Sequence, residues 1–133
     1  METLFIPKKS IGNFAIGDPF NKFLKGKYDY YHKNENYSYD LYVFYEPIID
    51  VYTNDKDLID SIRCSNTCTW EDKNLIGMGL LEFIALSELK PDSSENVYLM
   101  VDGKGQNQTV YEFDELRLQV WTWRQKIVTI ILY

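Results

Sequence analysis

The stretch Leu118-Gln119-Val120-Trp121-Thr122 decides how this 133-residue chain is interpreted, because it repeats the character of Ile49-Asp50-Val51-Tyr52-Thr53, which begins 69 residues earlier. Both stretches have the β-branched and aromatic composition of short strands. Three further pairs of segments keep the same order along the chain, at offsets of 60, 66 and 68 residues: Phe14–Leu24 with Asn74–Ile84, Tyr45-Glu46 with Tyr111-Glu112, and Ile59–Ile62 with Ile127–Ile130. A few loop insertions would explain why the offset between matching segments changes only slightly along the chain. The sequence therefore predicts a single domain, residues 1–133, built from two pseudo-repeats at about residues 11–66 and 71–133.

A glycine turn opens each predicted repeat, at Ile16-Gly17-Asp18 and at Ile76-Gly77-Met78. Glycine reaches backbone conformations that are closed to other residues, so the chain is expected to turn there and a helix to follow. The first helix is predicted near residues 18–25, because aspartate caps a helix well and Pro19 fits its first turn. The second is predicted near residues 79–89, where apolar side chains recur at helical spacing on one face.

Strands are predicted where the hydrophobic period changes from 3.6 to 2, most clearly at Tyr37–Tyr45. The glycine-containing segment Asp102–Gln108 is interpreted as a flexible hairpin connection. The resulting fold class is α+β, in which two tandem strand-helix-strand-strand units form an antiparallel sheet with two short helices on one face. Residues 14–64 should then superpose on residues 74–132. The other predicted strands are Ile49–Val51, Leu58–Cys64, Arg117–Thr122 and Lys126–Leu132.

This order of elements resembles the fold of the beta-lactamase inhibitory proteins and of small outer-membrane assembly lipoproteins. The likeness covers most of the chain and lies in its pattern, with Ile16-Gly17-Asp18 and Ile76-Gly77-Met78 at the glycine turns. No binding residue of those families can be assigned here, and the expected absence of a secretory signal departs from their exported members. In overall character the small, acidic, tyrosine-rich chain is also similar to bacterial immunity proteins that neutralise toxins, including those of contact-dependent growth inhibition.

The composition limits the classes of function. A net charge of −6 and a pI near 4.7 argue against nucleic acid as a partner, because affinity for phosphates comes from clustered lysine and arginine. No stretch approaches the roughly 20 apolar residues of a membrane-spanning helix, so we expect no membrane partner and a cytoplasmic location. Cys64 and Cys68 are too few for a disulfide framework and lack the companions of a zinc site. We expect reduced thiols, with Cys64 half-buried and Cys68 exposed. A bridge between them is the less favoured alternative, because it would need a turn within the three-residue gap.

No catalytic signature is present, so we expect a protein that is not an enzyme and that uses no cofactor and no metal. The single histidine, His32, lies in a polar segment without an orienting partner, and Cys64 has the setting of a small apolar strand residue. The acidic turn Asn54–Asp57 lacks the glycine and the distal glutamate of a calcium loop. The competing enzyme class is a carboxylate-dependent hydrolase that uses a pair such as Glu112 and Glu115.

Surplus acidic residues and tyrosines remain as the signal of function. Five acidic residues lie from Glu46 to Asp60 and six from Asp92 to Glu115, and we place the two segments at equivalent positions of the repeats. Tyrosine offers rigid contact area and carboxylates steer a cationic partner, so we expect these strand surfaces to bind a basic protein. The predicted contact residues are Tyr39, Tyr42, Asp50, Tyr52, Asp55, Asp57, Glu112, Asp114, Glu115 and Trp123.

The partner that fits this interpretation best is a cognate toxin domain. A cationic nuclease presents a phosphate-binding surface, which the carboxylates of an immunity protein would occupy without any chemistry of their own. The alternative is a generic binding or assembly module of the same fold. In the other interpretation the charges only keep the protein in solution, and the tyrosines are ordinary strand residues.

Overall fold

The computed structural model describes residues 3–20, 28–31, 40–45 and 47–133, and β-strands dominate this part of the chain. One α-helix, α1 (Leu80–Ser87), and a 3-10 turn, Asp114–Leu116, lie among them. The strands are β1 (Phe5–Ile6), β2 (Ser10–Ile11), β3 (Phe14–Ala15), β4 (Tyr28–Tyr31), β5 (Asp40–Tyr45), β6 (Ile48–Thr53), β7 (Ile59–Cys64), β8 (Thr69–Trp70), β9 (Lys73–Asn74), β10 (Ser93–Val101), β11 (Lys104–Phe113), β12 (Leu118–Trp123) and β13 (Lys126–Leu132).

Eight strands form the main antiparallel sheet, in the order β10-β11-β12-β13-β7-β6-β5-β4. Each half of the chain contributes four consecutive strands, and the last strands of the two halves, β7 and β13, pair at the centre. Ile130 lies opposite Cys64 there, and Leu132 lies opposite Ile62. Because this central pair is antiparallel, turns at corresponding positions of the two halves lie at opposite ends of the sheet.

The two glycine turns are tied to the sheet by matching backbone hydrogen bonds. The N–H of Gly17 donates to the carbonyl oxygen of Ile59 at 2.8 Å, and the N–H of Gly77 donates to that of Ile127 at 2.7 Å. Both glycines have a left-handed backbone, with φ of 87° and 91°. A side chain would strain this conformation, which explains why both positions are glycine.

The strand register refines the correspondence between the two halves. Phe44 lies opposite Ile49, and Phe113 lies opposite Leu118, so the strands align Phe44 with Phe113. This is an offset of 69 residues, where the sequence pattern predicted 66. The hairpins β6–β7 and β12–β13 also each carry one register irregularity. The duplication itself, with its boundaries at residues 11–66 and 71–133, stays a prediction.

The predicted α+β class with two helices on one face of the sheet is wrong, because the structure is mainly β. Within the described ranges the only α-helix is Leu80–Ser87, inside the predicted range of 79–89. Glu88 ends this helix by taking a left-handed conformation, with φ of 59°. The helix therefore stops before the proline and the polar residues that follow it in sequence.

The first predicted helix, near residues 18–25, does not begin at Asp18 and Pro19. Pro19 instead forms an isolated antiparallel bridge with Leu58, and the N–H of Phe20 donates to the carbonyl oxygen of Asp57 at 3.0 Å. Long-range pairing with the β6–β7 turn thus overrides a local helix-start pattern. Residues 21–25 lie outside the described residues.

A long hairpin, β10–β11, includes the segment Asp102–Gln108, which the sequence analysis interpreted as a flexible hairpin connection. Its nine-residue and ten-residue strands meet at a two-residue turn, Asp102-Gly103. Both turn residues have positive φ, 51° and 80°. Such a backbone matches the right-handed twist of paired strands and favours Asp-Gly at this position.

One face of the main sheet, the inner face, is packed against α1 and the small sheet formed by β1, β2 and β3. Phe83 of α1 is fully buried, and its ring centroid lies 5.0 Å from that of Phe113 in an edge-to-face arrangement. On the other half, the ring of Phe14 lies 4.8 Å from that of Phe44. The hydrophobic core therefore fills the inner side of the sheet and leaves the opposite side as the candidate for recognition.

Candidate protein-binding surface

The opposite side of the main sheet, the outer face, carries partly exposed side chains at alternate strand positions. On β12, Leu118 and Val120 are fully buried in the core. Because successive side chains of a strand point to opposite faces, Gln119, Trp121 and Trp123 lie on the outer face, and each is partly exposed. Two tryptophans therefore face away from the core.

These two tryptophans line a depression of about 560 Å³ on the outer face. Aliphatic side chains from the neighbouring strands complete its apolar part, while amide and hydroxyl groups supply the polar part. Surfaces that combine aromatic area with a few polar groups are typical of recognition sites. The principal lining residues are Arg63, Leu99, Val101, Trp121, Trp123 and Ile131.

A chain of side-chain hydrogen bonds holds Trp121 in place. Its indole N–H donates to Oε1 of Gln119 at 3.2 Å, and the amide of Gln119 donates to Oε1 of Glu112 at 2.8 Å. The hydroxyl of Tyr133 donates to Oε2 of the same carboxylate at 3.2 Å. Burial, and secondarily the charge of Glu112, raises the pKa of Tyr133, so the phenol remains a donor. Glu112 thus orders the outer face through both of its oxygens.

A second depression, of about 380 Å³, adjoins the first on the outer face. Ile131 lines both depressions, so the candidate surface is continuous along the central strands. The second depression also contains Asp60, Arg117 and Tyr133. The surface therefore changes from aromatic and aliphatic at Trp123 to charged at Asp60.

Asp50, one of the predicted contact residues, is largely buried and paired across the sheet. The Nε of Arg63 donates to Oδ2 of Asp50 at 2.7 Å, and a second guanidinium nitrogen contacts the same oxygen. The pair joins neighbouring strands β6 and β7. Asp50 therefore positions Arg63 at the rim of the large depression, and its carboxylate is not presented to a partner.

The turns β6–β7 and β11–β12 lie at the same end of the main sheet, called the acidic end below, because alternate strands run in the same direction. The start of β10 and the end of β13 lie there as well. Lys56 and Arg117 are the exposed basic side chains that the described part of the chain places in these turns. The exposed acidic residues of the acidic end are Asp55, Asp57, Asp60, Asp92, Asp114 and Glu115.

The prediction that the two acidic segments occupy equivalent positions is wrong. One is the turn between the third and fourth strands of the first half, and the other is the turn between the second and third strands of the second half. Equivalent turns would lie at opposite ends of the sheet. The acidic residues gather at one end because the two turns are not equivalent.

Local hydrogen bonds order both acidic turns. Oδ1 of Asn54 accepts from the N–H of Lys56 at 2.9 Å and from that of Leu58 at 3.2 Å. In the other turn, Oδ2 of Asp92 accepts from the N–H of Asp114 at 2.8 Å. These carboxylates are therefore presented on defined backbone and not on loose loops.

The tyrosines of the predicted site lie in different environments. Tyr42 belongs to the core, where its ring stacks on Phe20 with the centroids 3.7 Å apart. Burial, followed by the influence of Tyr30 and nearby aspartates, raises the pKa of Tyr42 to about 12. Tyr52 lies on the outer face and is partly exposed, whereas Tyr39 lies outside the described residues.

The structure brings together two groups of the predicted contact residues. Asp55, Asp57, Asp114 and Glu115 share the acidic end, and Trp123 lines the large depression, where the guanidinium of Arg124 lies 4.4 Å from its ring centroid. The sequence analysis missed Trp121, Arg63 and the β10 side chains of the depression. The spacing of Trp121 and Trp123 on one strand, and the alternation Val97, Leu99, Val101, were the available signals.

The described ranges assemble no set of ligands for a metal ion. No set of three or more His, Cys, Asp or Glu side chains there has the arrangement of a metal site. His32 lies outside the described residues. Cys68 is fully buried, which corrects the expectation that it is exposed, and Cys64 is fully buried beside it with its thiol donating to the carbonyl oxygen of Thr67 at 2.8 Å. The hydrogen bond with Cys64 and burial both raise the pKa of Cys68.

No helix in the described part of the chain is long and apolar enough to cross a membrane. Comparison with protein-family models, with curated proteins and with solved structures finds no match to this chain. The functional inference therefore rests on the surface itself.

Proposed function

We propose that this protein is a non-catalytic inhibitor that binds a basic protein through the acidic end and the adjoining outer face. One observation carries the proposal: the antiparallel topology places six exposed carboxylates from separate parts of the chain at one end of the sheet. Because the net charge is −6, the whole molecule adds to the attraction for a cationic partner.

The two parts of the surface have different roles in this proposal. Exposed carboxylates act over about 10 Å at moderate salt, and so they accelerate and orient the encounter. The depression around Trp121 and Trp123 supplies apolar contact area, which slows dissociation once the partner is seated. The second depression, which contains Asp60 of the acidic end together with Tyr133 and Ile131, connects these two parts.

A toxin domain is the partner class that this surface fits best. A nuclease must present positive charge to hold phosphates, and carboxylates on turns can take the place of those phosphates. Inhibition would then follow from occlusion of the active site. We therefore propose an immunity protein that neutralises a cationic bacterial toxin, with a nuclease as the leading case.

The test compares two triple charge reversals that alter the net charge equally. Asp55→Lys, Asp57→Lys and Glu115→Lys change the acidic end, whereas Glu71→Lys, Asp72→Lys and Glu88→Lys change exposed carboxylates elsewhere. The wild-type chain, used as bait in an extract of its native cells, should capture a basic protein in a one-to-one complex and abolish that protein's activity. At low salt the acidic-end variant should associate with it at least about tenfold more slowly than the control variant, with a weaker salt dependence.

Equal association rates for the two variants would show that the binding site does not lie at the acidic end. Capture of a carbohydrate or an envelope component, or of no protein, would favour a generic binding or assembly module, which the apolar depression also suits. A gene for a large secreted toxin directly beside the gene for this chain would support the toxin assignment.

The proposal that the protein acts without catalysis has its own test. His32→Ala and Cys64→Ser variants that remain folded should inhibit the captured partner as the wild-type chain does. Loss of inhibition in a folded variant would instead point to chemistry at that residue.

A further inference from the structure

Strand β10 is an edge of the main sheet and pairs, among the described strands, only with β11. We propose that two copies of this chain associate by antiparallel pairing of their β10 strands, so that the two main sheets become one continuous sheet. This inference is independent of the proposed inhibitor function.

The second half of β10 lacks the devices that usually protect a sheet edge. Residues 97–101 contain no charge, no proline and no glycine, and the strand is nine residues long. Tyr98 and Met100 are 68% and 62% exposed, so apolar area lies open along the edge. The opposite edge, β4, is shorter at four residues and carries Asp29. Long apolar edges recruit further strands, whereas short charged edges resist them.

The backbone of β10 offers its unpaired groups at defined residues. Val101 and Lys104 close the two-residue turn, so they form a hydrogen-bonded pair, and the pairing alternates along the strand from there. Val97 and Leu99 thus bond to β11. The N–H and C=O groups of Tyr98 and Met100 point to the open edge, where a second strand can bond to them.

The sequence Val97-Tyr98-Leu99-Met100-Val101 is self-complementary when two copies run antiparallel. Centred on Leu99, the pairing sets Tyr98 opposite Met100 of the second copy and Val97 opposite Val101 of the second copy. The first of these is a hydrogen-bonded pair that uses the groups at the open edge, and it also brings a thioether to an aromatic ring. An isologous contact of this kind closes a dimer without further growth along that edge.

The antiparallel arrangement limits the repulsion between the two negatively charged copies. In the antiparallel pair the two acidic ends lie at opposite ends of the joined sheet, because the start of β10 belongs to the acidic end. The two β10 strands overlap over residues 97–101, because the Asp102-Gly103 turn leads the chain of each copy away from the other. Like charges of the acidic ends are therefore kept apart.

A cysteine scan tests the register on the protein alone. Residues opposite each other in a non-hydrogen-bonded pair have Cα atoms about 4.5 Å apart, which suits a disulfide. Leu99→Cys should therefore give a disulfide-linked dimer under mild oxidation. Val97→Cys lies two pairs away and faces position 101 of the second copy, so it should remain largely unlinked. The wild-type chain serves as a control, because Cys64 and Cys68 are fully buried. Equal crosslinking at both positions, or none at Leu99→Cys, would overturn this pairing.

The oligomeric state gives an independent measurement. Sedimentation of the wild-type chain should show a concentration-dependent species of about twice 15.8 kDa. The Tyr98→Lys, Met100→Lys variant should lose it, and Leu81→Lys, at a helix residue that is 77% exposed, should keep it. A wild-type chain that stays monomeric at high concentration, or a dimer that persists in the double variant, would refute the proposal. Circular dichroism establishes that each variant is folded.

Discussion

Thr53 and Thr122 are both buried at corresponding ends of β6 and β12, but they differ in hydrogen bonding. The hydroxyl of Thr122 donates to the carbonyl oxygen of Thr109 at 3.2 Å. The hydroxyl of Thr53 has no partner within the described structure, although the residue is fully buried. A buried hydroxyl without a partner destabilises the folded state. The two positions therefore form a natural pair for measuring that cost.

Thr53→Val should stabilise the protein, and Thr122→Val should destabilise it, each by about 1 kcal/mol. Valine keeps the shape of threonine, so the first change removes an orphan polar group and the second leaves the carbonyl oxygen of Thr109 without its donor. Urea unfolding at neutral pH measures both changes. Two substitutions with the same sign and size would mean that the hydroxyl of Thr53 finds a partner in solution.

Alanine at either glycine turn should cost about 1–2 kcal/mol of the free energy of unfolding. A Cβ at Gly17 or Gly77 meets nothing within 4 Å, so the cost comes only from the left-handed backbone. The comparison is Gly79→Ala: Gly79 has a φ of −69° and a side chain fits its surroundings, so the cost there is limited to the weaker N-capping of α1 by alanine. Thermal unfolding should show similar losses at the two turns and a smaller loss at Gly79. A matching loss at Gly79 would show that space, and not backbone conformation, sets the cost.

Phe83→Ala should destabilise the fold by about 3–5 kcal/mol, because the side chain is fully buried between α1 and the sheet. A helix of eight residues has little stability of its own and depends on this packing. Leu81→Ala, on the exposed side of the same helix, should change stability by less than about 0.5 kcal/mol. Chemical denaturation of both variants measures the change in free energy of unfolding. A small effect of Phe83→Ala would show that α1 contributes little to the core.

Sequence patterns predicted the strands that line the core, because buried alternation is strong in segments such as Leu118–Trp123 and Lys126–Leu132. The two long strands of the β10–β11 hairpin were not predicted, because polar residues on both of their faces weaken the alternation of apolar and polar side chains. The helix expected at Asp18 failed for another reason. Its start signal is local, whereas the bridge of Pro19 to Leu58 depends on a contact distant in sequence.

The candidate site was accessible to sequence reasoning only in part. Acidic segments are visible in the sequence, but the end of the sheet at which each lies follows from strand order. The paired state of Asp50 depends on Arg63 in the next strand, and the burial of Tyr42 depends on which face of β5 meets the core. Side-chain type thus led only to the hypothesis of a binding surface, whereas topology and register determine which of these residues are accessible.

Tyr42→Phe should remove part of the loss of stability that the protein suffers at high pH. Burial raises the pKa of Tyr42 to about 12, above the value near 10 of an exposed tyrosine. The folded state therefore holds this proton more tightly than the unfolded state. Its contribution is fully present below about pH 10 and is lost as the pH rises through about 12. Phenylalanine keeps the ring that stacks on Phe20 but has no proton to lose.

Urea unfolding of the wild type and of Tyr42→Phe between about pH 8 and 12 measures this contribution. The difference in free energy of unfolding should be constant up to about pH 10 and should then change in favour of the variant. Burial likewise raises the pKa of Tyr30, which is present in both proteins, and its charge is part of the environment of Tyr42 whose effect the comparison measures. Parallel stability curves across the whole range would show that Tyr42 ionises as an exposed phenol and does not belong to the core.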